Sequence, residues 1–83
     1  MNSTNIRFPG YDARSERGSI RWELFVDWDV REVLMTPRAD TLKVIHRADP
    51  NPVGWTKTLT AASFPEPIIG ESTPIEEHGP IAA

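Results

Sequence analysis

The clearest pattern in the chain begins at Ile20. Ile20, Trp22, Leu24, Val26, Trp28 and Val30 are apolar, and Arg21, Glu23, Phe25, Asp27, Asp29 and Arg31 stand between them. Period-two alternation, rich in aromatic and β-branched side chains, predicts a strand with one face in a core and the other face charged. The segment is long for a single strand, so a bend is expected near Asp27–Asp29. A local alternative competes over residues 29–35. Asp29 and Glu32 have the spacing of a capping box, and Val30, Val33 and Leu34 could share a helical face. Such a helix would end within two turns, because Thr36 precedes Pro37 and resists the α region. The strand reading is therefore preferred.

Two further runs follow. Residues 33–36 and 41–47 flank Pro37-Arg38-Ala39-Asp40, which predicts a hairpin with a four-residue loop in which proline fixes φ and aspartate caps the turn. Ala48-Asp49-Pro50-Asn51-Pro52 is the next break. Beyond it Val53, Trp55 and Leu59 alternate with Thr56, Thr58 and Thr60, which reads as a last strand whose second face is a threonine ladder. The expected fold is mainly β: a small three- or four-stranded antiparallel meander over residues 19–64.

The flanks lack such periodicity. Residues 1–18, with Pro9, Gly10 and Gly18, read as an extended N-terminal arm anchored by Phe8 and Tyr11. Residues 65–83 read as a proline-rich acidic tail. Phe64-Pro65-Glu66-Pro67-Ile68-Ile69 forms an extended apolar stretch between prolines, and Thr73, Pro74 and Glu76 resemble a single-turn helix start. No internal repeat is present.

Charge is uneven along a chain of net charge −3. Residues 1–21 place Arg7, Arg14, Arg17 and Arg21 against Asp12 and Glu16. Residues 58–83 hold Glu66, Glu71, Glu76 and Glu77 with no Lys or Arg. The simplest meaning is solvated ends, though a basic front and an acidic tail could also meet two different surfaces. The absence of cysteine excludes disulfides and thiolate-bound metals. A core of this size then points to association as the remaining source of stability. No apolar run has the length of a membrane span. The first residues lack the charged and apolar regions of a secretory signal. The expected setting is the cytoplasm, or a virion or large complex assembled there.

Candidate chemistry is sparse. No nucleophile lies in a recognisable elbow, and His46 reads as a residue on the sheet surface. Asp27 and Asp29 read as a solvated face paired with Arg31 or Lys43, because the glycine and bidentate glutamate of a calcium loop are missing after them. The five glycines are never clustered, and His46 and His78 are far apart in the chain, so no cofactor or metal is expected. Phe25, alone among charged positions, suits a partner contact. Nucleic acid is disfavoured, because Glu23, Asp27 and Asp29 share its predicted face and would repel phosphate.

The reading that results is a non-enzymatic protein–protein interaction module. The leading form is a small structural or accessory subunit, of cement or peripheral type, in a larger assembly. The alternatives are a small regulator or inhibitor of one enzyme or nucleoprotein and, more weakly, a nucleic-acid-binding β-module. A protein partner or self-association is expected through Phe8, Tyr11, Phe25, Phe64, Ile68 and Ile69.

Overall fold

A computed structural model describes residues 1–75 of the chain. Six elements follow one another: β1 (Asn2–Arg7), α1 (Arg17–Leu24), β2 (Val30–Met35), β3 (Thr41–His46), α2 (Pro52–Ala61) and β4 (Ile68–Pro74). The fold is mainly β, a four-stranded antiparallel sheet in the order β2-β3-β1-β4 with two short helices. Only β2 and β3 form a hairpin. The pairs β1/β2 and β3/β4 each run parallel with another strand between them, joined by α1 and α2. This is the split β-α-β arrangement of ferredoxin-like topology, not a simple meander.

The hairpin lies where the alternation places it, with residues 36–40 as its loop. The Thr36 hydroxyl donates to the Thr41 carbonyl at 2.8 Å and accepts from the Arg38 N–H at 3.1 Å. Asp40 ties the loop to β1: Arg7 and Arg38 donate to its carboxylate, and its carbonyl accepts from the Phe8 N–H at 2.7 Å.

Both flanks contribute an extended segment, as expected, but as strands of the sheet. Within residues 1–18, β1 occupies an interior position because Thr4, Ile6 and Phe8, spaced two apart, turn to the buried side. Within the tail, Ile68–Pro74 pairs with β1 as an edge strand, with a bulge where Gly70 and Glu71 face Asn5. A side chain at Gly70 would press on the Asn5 carbonyl, which favours glycine there. Thr73 and Pro74 end β4 and do not start a helix; the rest of that expected turn, with His78, lies outside the described residues.

Residues 20–30 and 53–60 differ most from expectation. The first segment is α1 followed by a loop, and the second is α2. With β1 and β4 in the sheet, its apolar face needs a covering layer, and the two helices supply it. Ile20 and Leu24, one helical turn apart, face inward from α1, and Trp55 and Leu59 do the same from α2. They form one core with Ile6, Phe8, Val33, Leu42 and Val44. The threonines of α2 make no ladder; Thr60 instead donates to the Thr56 carbonyl.

The ends of α2 show why it forms. Asn51 is its N-cap, accepting from the Gly54 N–H, and Pro52 opens the first turn. At the other end Phe64 N–H bonds to Leu59 O and Ser63 N–H to Thr60 O, each at 3.0 Å, with Ser63 at φ 73°. This is a Schellman motif in which a serine takes the left-handed position usually given to glycine.

Candidate functional site

The site begins where α1 ends. Leu24 is buried and fixes the last turn. The chain then tightens, with Phe25 N–H on Arg21 O and Asp27 N–H on Leu24 O. Asp27 organises the loop from there to β2. One carboxylate oxygen accepts from the Asp29 N–H at 3.0 Å, and the other accepts from the indole N–H of Trp55 at 2.8 Å. Its carbonyl accepts from Val30, and the Arg47 N–H holds the Asp29 carbonyl. A loop pinned to α2 and to the end of β3 therefore presents its side chains in fixed positions.

Apolar side chains of the last turn of α1 and of this loop face outward. Trp22 is 74% exposed, Val26 66% and Trp28 89%, with Phe25 beside them at 36%. Isolated exposed apolar residues are ordinary, but a contiguous group is a recognised mark of an interaction surface. Arg21 lies over the Phe25 ring, 4.4 Å from its centroid, and donates to Glu32. That bond, aided by the Val33 N–H, holds the Glu32 carboxyl below its ordinary range. Next to Trp28 a cleft of about 290 Å3 runs between Val26 and Asp27 on one side and Asn51, Gly54 and Thr58 on the other, with the buried Trp55 beneath.

His46 lies behind this cleft and is fully buried, not on the sheet surface. Its Nδ1 is 2.6 Å from the Ala48 carbonyl and its Nε2 2.7 Å from the Thr4 hydroxyl. A carbonyl only accepts, so Nδ1 carries the proton and donates to Ala48. The ring meets Trp55 edge-on at 5.4 Å. Thr4, His46, Trp55 and Asp27 thus form a continuous chain of contacts from the middle of the sheet to the exposed loop. Asp29 lies 3.9 Å from Arg47, in place of the expected Arg31 or Lys43. Among the described residues, no group of three or more His, Asp or Glu side chains is placed to hold a metal ion.

The six expected contact residues are dispersed. Phe8 is fully buried, and Tyr11 stands between Phe8 and Phe64 at ring distances of 6.0 and 6.4 Å. These rings dock, but on the chain's own core, as does Ile69. Burial there, followed by the carboxylates of Glu16 and Asp12, pushes the Tyr11 phenol above its ordinary value. Ile68 is exposed on the edge strand, away from α1. Phe25 alone joins the aromatic surface, together with Trp22, Val26 and Trp28, which the alternation assigned to the core. Phe25 lies at the end of a helix and not on a sheet.

The sheet offers other surfaces of different character. Its uncovered face is mixed: Ser3, Asn5, Lys43, Glu71 and Thr73 line a depression, and Ile45 and Leu34 lie on the same side, paired with Ser3 and Lys43. The β2 edge is closed by side chains: Arg17 donates to the Val33 carbonyl at 3.0 Å, Glu32 accepts from the Val33 N–H, and Arg14 donates to the Thr36 carbonyl at 2.7 Å. The β4 edge is broken by its bulge and ends in Pro74, which has no N–H. No helix among the described residues is long and apolar enough to cross a membrane. No protein-family model and no curated protein matches the chain.

Proposed function

We propose that this chain is a non-enzymatic protein–protein interaction module, a small structural or accessory subunit of cement or peripheral type in a larger assembly. It works in the cytoplasm, or in a virion or complex assembled there. The observation that carries the reading is the group Trp22, Phe25, Val26 and Trp28, held outward by the last turn of α1 and by the loop after it, which Asp27 fixes from below. Aromatic anchors that need no reordering lose little entropy on binding and are the residues most often dominant in interfaces. The blunted sheet edges favour docking by side chains over strand addition.

A second reading is a small regulator or inhibitor that binds one enzyme or nucleoprotein. It is favoured by a different observation: β1 and β4 belong to the sheet, so the chain closes a core of its own and need not be ordered by neighbours.

The test is a quantitative pull-down with the tagged full chain, wild type beside a Trp22→Ser/Trp28→Ser variant, from the cells that produce it. Recovery of large-assembly proteins in fixed ratio by the wild type alone supports the subunit reading. A single enzyme lost in the variant supports the regulator. Equal recovery by both proteins contradicts a role for this surface.

A further inference from the structure

We infer that the aromatic surface pairs with a second copy of this chain, the Trp28 of each copy filling the cleft beside the Trp28 of the other. This rests on the interaction-module reading and names its partner. In a two-fold dimer the same patch meets itself, so it must carry both a projection and a matching recess. Trp28 is the most exposed of the large apolar side chains among the described residues, and it borders the cleft of about 290 Å3. A cavity of about 150 Å3 holds a benzene ring, so this recess has room for an indole. The groups around it, Asp27, Asn51 and Thr58, offer oxygen acceptors to the indole N–H.

Charge points the same way. Arg21 with Glu32 and Arg47 with Asp29 stand beside the aromatic group, so both signs are present around an apolar centre. A one-sign rim would repel its own copy and favour an oppositely charged partner; a mixed rim can pair with itself across a two-fold axis. Area is also adequate. Two aromatic side chains of ~150–250 Å2 each supply roughly half of the ~800 Å2 that a standard interface needs per partner. Phe25, Val26 and the charged rim extend it. The loop is already held by Asp27, so the projecting ring is positioned before the copies meet.

Sedimentation velocity on the full chain across the micromolar range tests this. The wild type should pass from monomer to dimer with concentration. Trp28→Ala removes the projection, and Thr58→Arg fills the recess. Each should weaken dimerisation at least tenfold, with circular dichroism and thermal unfolding confirming the fold. If Thr58→Arg does not fold, Val26→Arg at an exposed position on the other lip blocks the same recess. An equimolar mixture of the Trp28→Ala and recess-blocked proteins keeps one intact ring-and-recess contact, so it should dimerise more strongly than either alone. A wild type that stays monomeric, a dimer unchanged by Trp28→Ala, or a mixture no stronger than its components would overturn the inference. A monomeric wild type that still captures a protein through Trp22 and Trp28 would remove the second copy and leave the interaction module standing.

Discussion

Trp55 and Trp28 are the same kind of residue on opposite sides of one carboxylate. Trp55 is 2% exposed, its N–H rests on Asp27, and its ring meets buried His46. Trp28 is 89% exposed, and its backbone carbonyl is touched by Arg47 at 3.4 Å. Apolar character does not separate the two. What separates them is that Trp55 has both a helical face turned to the sheet and an acceptor for its one polar atom. The same Asp27 shapes the loop that carries Trp28, so the exposed surface is positioned by the bond that completes the core.

The sharpest way to break this comparison is to remove the buried member. Trp55→Ala should cost about 3–5 kcal/mol in urea unfolding, a large part of the stability of a small domain. Asp27→Ala comes next, at about 1–3 kcal/mol, because it leaves the Trp55 N–H buried without an acceptor. Asp27→Asn should restore part of that loss, since its amide oxygen still accepts. Ser63→Gly should act in the other direction, raising stability by about 0.5–1 kcal/mol by relieving the left-handed serine at the end of α2.

An acid titration probes the hairpin loop, remote from both tryptophans. Hydrogen bonds from Arg38, then Thr41 and Arg7, hold the Asp40 carboxyl down at about 2 from an ordinary 3.8. A carboxyl depressed in the folded state stabilises above its unfolded value, and that contribution is lost as pH falls from 3.8 toward 2. Asp40→Asn should therefore unfold with a shallower acid dependence in that range, while the wild type loses stability more steeply. The smallest effect is expected at the exposed member. Trp28→Ala should change the stability of the monomer by no more than about 0.5 kcal/mol by urea unfolding in dilute solution.

The hairpin was the most legible part of the fold, because β-branched runs flank a loop with Pro37 and Asp40 at its ends. The helices were not legible for a reason common to both. Ile20/Leu24 and Trp55/Leu59 are four apart, and positions four apart also satisfy a period of two. Taking the alternation at face value placed Trp22 inward, whereas a helix that buries Ile20 turns Trp22 to the far side. For α2 a discriminating signal existed in Asn51-Pro52, an N-cap followed by proline at the first helical position. For α1 none did: Glu16 makes no side-chain cap, and Gly18 lies in the first turn. In β1 and the residue after it the inward set is only Thr4, Ile6 and Phe8, too sparse to read without the strands beside it. Phe25 was legible as an exposed ring because it interrupts a charged series. Trp28 was not, because its exposure depends on the Asp27 bond to a residue 28 positions away.

Hydrogen exchange of the three indole N–H groups, followed by NMR in dilute solution, tests the central claim most directly. One indole signal, that of Trp55, should be strongly protected, and it should lose protection in Asp27→Ala. The other two, from Trp22 and Trp28, should exchange at rates close to those of a free indole. Protection of all three in the monomer, or rapid exchange of Trp55, would contradict the division between a core tryptophan and an outward-facing pair.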